Sequence, residues 1–263
     1  MVGPVAKDRA WLRRTSYPGR GLVVGCTADG AAGVQLFWTM GRSAGSRNRR
    51  LVREPDGSVR VVVADAAAGV QRGDPSLLLY RALCAVRHGD GRVTHVVGNG
   101  DQTDTIAAGL AGGEPFSAAF ARRDVEPDAP HYTARIAGAL TVGGSGGSGG
   151  SGGVQCCELA IVKTAGGAPP RTSHQHFRYR GMRPGWGYCI TTYEGDGIPL
   201  PPFAGEPFPL PVASDPRRAV AELWDLLDRD NRVSAAAKFI DRAGGAVRIE
   251  LINRNPGGAE ARP

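Results

Sequence analysis

Three short phrases of the chain concentrate groups able to do chemistry. Met40–Arg49 (MGRSAGSRNR) holds three arginines, two serines and an asparagine within ten residues. Guanidinium forks match phosphate or carboxylate oxygens, so Arg42, Ser43, Arg47 and Asn48 read as an anion site. Arg49 and Arg50 read instead as solvated members of an arginine-rich loop. In Gly98–Thr105 (GNGDQTDT), Asn99, Asp101, Gln102 and Asp104 stand where a strand hands over to a helix. Asparagine and glutamine carry both donors and acceptors, as reading an amide requires, and a helix N-terminus offers free N–H groups to an oxyanion. A helix cap at Asp101 or Thr103 is the plainer alternative, but it does not account for all four polar side chains. The third phrase, Glu126–Ile136 (EPDAPHYTARI), supplies Asp128 between two prolines, Tyr132 as a proton carrier, and Arg135. Arg135 either neutralises a developing negative charge or pairs with Glu126 or Asp128, and both readings stand.

The elements that position these phrases are mostly hairpins. Apolar runs Gly21–Thr27 and Val34–Met40 flank the turn at Ala28–Gly30. Arg49–Arg53 and Val59–Ala64 flank Pro55–Gly57, and Leu77–Arg87 and Arg92–Val97 flank Gly89–Gly91. Val247, Ile249 and Leu251 alternate with charged residues, predicting a half-buried strand paired with Ala235–Asp241. Tyr132–Val142 and Val154–Lys163 are strand-like as well. Helices are predicted over Thr103–Leu110, over Pro115–Arg122 and after Asp215, where an N-cap precedes Pro216 and Val220, Leu223, Trp224 and Leu227 follow at helical spacing. This mixture indicates an α+β protein, read as a single domain over 1–263. Gly143–Gly153 reads GGSGGSGGSGG, a flexible loop without side chains to pack. Its perfect regularity points to an engineered loop replacement, with a natural low-complexity tract as the alternative.

Composition narrows the classes. With 41% hydrophobic and 22% charged residues, the chain has the balance of a soluble globular protein. Its net charge of +7 comes almost wholly from arginine, which suits a phosphorylated ligand. No basic run is interleaved with aromatics, so nucleic acid is not expected as a partner. No signal peptide or membrane span is read, and a cytoplasmic location is expected. The five cysteines lack C-x-x-C spacing and read as reduced thiols. His174 and His176 share a strand face, but two ligands without a third read as a surface pair and not as a metal site.

In order, MGRSxxSRNR, NGDQTDT and EPDAPxYTxRIxG resemble the IMP cyclohydrolase family of the archaeal type, including its bacterial relatives. The similarity continues through Thr192–Pro201 and Phe203–Pro207, and covers about Tyr17 to Asn255 apart from the glycine-serine stretch and its flanks. The resemblance implies a four-layer αββα sandwich of mostly antiparallel strands, like that of the N-terminal-nucleophile hydrolases but without self-processing. It implies dehydrative closure of 5-formamidoimidazole-4-carboxamide ribotide to IMP, with a phosphorylated small molecule as partner and no cofactor or metal. It also brings Arg20, Tyr193 and Asp196 toward the site, which spacing alone would leave in turns. On this reading Asp101, Asp104, Tyr132, Arg135 and Tyr193 serve the chemistry, and the choice of general acid is open at this level. Arg20, Arg42, Ser43, Arg47, Asn48, Asn99, Gln102, Asp128 and Asp196 bind the substrate. Archaeal members of the family assemble into oligomers, so a homo-oligomer is an expectation here, although no stripe marks an interface.

Other readings remain at this level: a related aminoimidazole ribotide on the same scaffold, a non-catalytic purine nucleotide sensor, or an amidohydrolase with an N-terminal nucleophile. The last needs a nucleophile exposed by cleavage, and the early Cys26 falls within the first predicted strand.

Overall fold

The computed structural model describes residues 7–66, 78–143, 156–165, 171–242 and 246–256. The chain is α+β, with two antiparallel sheets and few helices. The first sheet contains β1 (Gly21–Cys26), β2 (Ala32–Met40), β10 (Trp186–Thr191), β11 (Phe208–Pro211), β12 (Arg232–Asp241) and β13 (Val247–Asn253), in the order β11-β10-β1-β2-β12-β13. The second runs in chain order: β3 (Arg49–Arg53), β4 (Val59–Val63), β5 (Arg81–Arg87), β6 (Val93–Gly98), β7 (Arg135–Val142), β8 (Cys156–Thr164) and β9 (Thr172–Tyr179). The hairpins predicted from apolar runs around glycine turns are present, as is the β12–β13 pair. All but Gly143 of the glycine-serine stretch lies outside the described residues.

Both faces of the second sheet are covered, which is why its central strands read as continuous apolar runs. Along β7, Ile136 and Leu140 join the core shared with the first sheet, while Ala137 and Ala139 face a separate cluster. That cluster contains Ile106 and Leu110 of α3 (Gln102–Ala111) with Phe116 and Phe120 of α4 (Phe116–Ala121). Gly138 sits where β7 packs tightly against β1: a Cβ there would lie 2.6 Å from Val24 Cγ2. On the outer side of the first sheet, Leu36 and Leu210 meet Leu223 and Leu226 of α5 (Pro216–Leu226). The N-cap Asp215 accepts from Arg218 N–H at 3.0 Å, as the sequence predicts. The layers therefore run helix, sheet, sheet, helix. The sequence reading did not include α1 (Arg9–Arg14), capped by Asp8, which contributes only Trp11 and Leu12 to the core. His174 and His176 face Phe120 and Phe116 of α4, with ring centroids 6.4 and 5.9 Å apart.

Polar side chains also cross between the sheets. Gln35 and Lys238 are register partners on β2 and β12. Gln35 Nε2 donates to the His95 carbonyl at 3.0 Å, and Lys238 Nζ donates to the Cys84 carbonyl at 3.2 Å. Burial pushes the Lys238 ammonium down from 10.5 to about 8. An unfolded chain keeps that proton up to about 10.5, so folding is penalised below pH 8 and stability should rise between about pH 8 and 10.5. The swing is about 3 kcal/mol. Lys238→Met should raise the melting temperature at pH 7 and abolish this rise, as thermal melts across pH will show.

Candidate functional site

The largest concentration of sequence-predicted groups surrounds a cavity of about 510 Å³ between the ends of the sheets. Arg20, Arg42, Ser43, Asp128 and Tyr193 line it, together with Tyr17, Ser46, Arg49, Glu126, His131, Thr133 and Leu200. Most are delivered by segments at strand ends: Arg20 before β1, Arg42 and Ser43 after β2, Arg49 at the start of β3, Glu126–Thr133 before β7 and Tyr193 after β10. Gly19 allows the chain to enter β1 against Tyr193; a Cβ there would lie 2.5 Å from that ring, and its φ is +71°. Trp38 Nε1 holds the Gly19 carbonyl at 3.0 Å, fixing the start of β1 beneath the cavity.

The floor is an ion pair. Arg20 is buried and donates to Glu126 Oε2 at 2.8 Å and to the Asn99 carbonyl at 2.9 Å. Glu126 is buried too, and among the described residues its Oε1 has no hydrogen-bond partner. Burial pushes the Glu126 carboxyl up from its ordinary range, and the Arg20 charge only partly opposes this. Beside the pair, Thr133 Oγ1 bonds to both the Asp128 carboxylate and the Tyr193 hydroxyl, and Thr133 N–H donates to Asp128 Oδ1 at 2.6 Å. Burial pushes the Tyr193 phenol upward, so it stays protonated at neutral pH. Asp128, Thr133 and Tyr193 thus form a continuous hydrogen-bonded chain along one wall. Tyr132 takes a left-handed φ of 43° beside it, an uncommon conformation for a bulky residue, and does not line the cavity.

The rim is cationic. Ser43 and Ser46 cap the short helix α2 (Ala44–Arg47) reciprocally. Arg42 lies over the Tyr17 ring at 4.8 Å and pairs with Asp196. Arg49 corrects the sequence reading, which placed it in solvent. It is 3% exposed, lines the cavity, and among the described residues donates to the carbonyls of Ser46 (2.8 Å) and Met40 (3.1 Å). Burial lowers its pKa, and the like charge of Arg20 adds to that. A buried guanidinium that contacts two neutral carbonyls has capacity left for an anion.

The remaining predicted residues lie elsewhere. Arg47 Nε donates to the Gly41 carbonyl (2.9 Å), and its NH2 group to Asn231 Oδ1 (3.2 Å). Asn48 clasps the Asp65 backbone with bonds of 2.8 and 2.9 Å. Asn99 and Gln102 are fully buried and splice β6 to β7. Asn99 Nδ2 donates to the Ala134 carbonyl, its Oδ1 accepts from Ile136 N–H at 2.7 Å, and Gln102 Nε2 donates to the Ile136 carbonyl at 3.0 Å. Asp101 occupies the N-cap position of α3 without making a side-chain cap bond, and pairs instead with Arg135 and Arg123. The ion pair anticipated for Arg135 exists, but with Asp101 and not with Glu126 or Asp128; Arg135 also donates to Gln102 Oε1 at 3.0 Å. Asp104 pairs with Arg81 on β5. Asp196 stands outside the lining, bound to Arg42. In this structure the second phrase therefore builds the wall behind Glu126, and none of its side chains enters the cavity.

The site thus combines a layered sandwich, a cationic rim and a buried arginine–glutamate pair at the floor of one cavity. Residues 17–245 match the family described as IMP cyclohydrolase-like protein, and the chain belongs to that family. No curated protein matches the chain. Among the described residues, no helix is long and apolar enough to cross a membrane. The five cysteines are free and buried, and Cys26 is in β1 with its Sγ against the Arg183 carbonyl.

Proposed function

We propose that this cavity closes the second purine ring, converting 5-formamidoimidazole-4-carboxamide ribotide to IMP with loss of water. The observation that carries the reading is the pairing of two unlike features in one cavity. Among the described residues, one is Arg49, a buried cation without a carboxylate contact, and the other is Glu126, a buried carboxylate with an unpartnered oxygen. The volume fits a mononucleotide, since small-molecule sites span about 300–1,000 Å³.

The ribose phosphate sits at the rim, against Arg42, Ser43, Ser46 and Arg49, and the carboxamide and formyl groups sit at the floor. Holding the carboxamide nitrogen against the formyl carbon supplies the proximity term. As the C–N bond forms, Glu126 Oε1 takes a proton from that nitrogen, and the Arg20 charge stabilises the oxygen that becomes negative. The proton passes to that oxygen to give a hydroxyl. When the C–O bond breaks, the hydroxyl takes a second proton and leaves as water, and a ring nitrogen gives one up. The Asp128–Thr133–Tyr193 path carries this exchange. An elevated Glu126 pKa suits a group that must both accept and return a proton. The helix–sheet–sheet–helix order supports an N-terminal-nucleophile-hydrolase-like scaffold.

Purified protein incubated with the formamido ribotide alone should yield IMP, followed by chromatography. Folded protein that binds the ribotide or IMP without turnover would replace this reading with a related substrate or a nucleotide sensor.

A further inference from the structure

Residues 194–201 form a loop beside the cavity mouth with a firm neck and a lightly held tip. At the neck, Glu194 N–H donates to the Pro201 carbonyl at 3.0 Å and Tyr193 bridges Pro202. Lys7 adds an ion pair to Glu194 at 2.6 Å. Among the described residues, the side chains that hydrogen-bond the tip from elsewhere belong to two residues lining the cavity. His131 Nδ1 accepts the Leu200 N–H at 3.2 Å. Arg42 donates to the Asp196 carboxylate and, at 3.5 Å, to the Gly197 carbonyl. Ile198, at the apex, is 84% exposed, so burial of that side chain adds little to the anchoring.

We propose that Asp196 occupies the place of a ligand phosphate at Arg42. The Arg42–Asp196 pair is then an autoinhibitory latch, which a phosphorylated ligand opens as it binds, releasing the loop tip. The inference rests on reading the cavity as a site for phosphorylated ligands. Both latch side chains are substantially exposed, 32% for Arg42 and 54% for Asp196, and ion pairs so exposed are weak. A phosphate brings more charge and more acceptor oxygens than one carboxylate, and Ser43, Ser46 and Arg49 line the same cavity. Arg42 rests on the Tyr17 ring at the cavity edge, so exchanging one anion for the other asks only for a change at the guanidinium. If Asp196 instead binds the substrate, removing its charge weakens binding; as a competitor, removing it strengthens binding.

Inorganic phosphate is the probe, titrated calorimetrically into the full chain, Asp196→Asn, Arg42→Ala and the double variant. Asp196→Asn should bind phosphate about two- to fivefold more tightly, the size expected for losing one exposed competing pair. That gain should vanish in the Arg42→Ala background. Amide hydrogen exchange over 194–201 should quicken when phosphate is added to the unsubstituted chain. Equal or weaker binding by Asp196→Asn overturns the latch, as does a gain that survives without Arg42 or an absence of phosphate binding in every protein. IMP formation is not read here. A chain that passes this test and makes no IMP keeps the latch and loses the proposed reaction.

Discussion

Glu126→Gln should remain folded at 25 °C and form IMP about 10²–10⁴-fold more slowly, the usual contribution of a positioned acid–base group. Glutamine keeps the size of the side chain and an acceptor for Arg20, but it cannot take a proton from the attacking nitrogen. The pH profile separates this role from a packing effect. In the unsubstituted chain the rate should fall on acidification as the carboxylate is protonated, with a midpoint above the ordinary 4.5 because burial raises that pKa. Glu126→Gln should lose that limb. The stability signature has its own sign. A carboxyl with a raised folded pKa binds its proton more tightly in the native state, so stability falls as pH rises from 4.5 through the raised value, and glutamine should flatten that fall. IMP affinity within a few-fold of the parent, with an unchanged near-ultraviolet circular dichroism spectrum, would show that the fold survives. Activity within tenfold of the parent would remove Glu126 from the chemistry.

Arg49 and the GNGDQTDT phrase show what a sequence reveals about such a site and what it hides. Hairpins were legible because alternation, apolar runs and Asp-Gly turns are local signals, and β1–β2, β3–β4 and β5–β6 follow them. The same alternation held a clue that polarity obscured. Arg49 is in phase with Leu51 on β3, and both face inward, so an arginine stood on the buried face of a strand already delimited correctly. The four polar residues of the second phrase look like a ligand site, yet each has structural employment. Where β6 and β7 leave the ladder, backbone N–H and C=O groups need partners. Asn99 and Gln102 satisfy several of them, while Asp101 and Asp104 balance arginines. Residue type alone does not distinguish an amide that serves the backbone from one that serves a ligand. Arg20, Arg42, Ser43, Asp128 and Tyr193 were found because family resemblance or donor chemistry marked them, and tertiary packing gathers them from four separate stretches of chain. Glu126 was visible only as an ion-pair partner, since its burial depends on how the Glu126–Thr133 turn folds under Arg20.

Arg49→Met should weaken IMP binding about 10- to 100-fold, which corresponds to the 1.5–3 kcal/mol typical of a hydrogen bond to a charged group. The cost to the fold should be far smaller, because two effects oppose each other. Methionine removes a buried charge that, among the described residues, the cavity holds with two carbonyls, and whose pKa burial has already lowered. It also strips the Ser46 and Met40 carbonyls of a donor, at about 1–3 kcal/mol each where they stay dry. Desolvation of an ion costs several kcal/mol, so these terms nearly cancel and the melting temperature should move by only a few degrees. A guanidinium serving only to clamp the β2–β3 corner predicts the reverse: a large drop in melting temperature and intact affinity in whatever protein remains folded. Thermal melts and calorimetric IMP titration on the same preparation decide between the two.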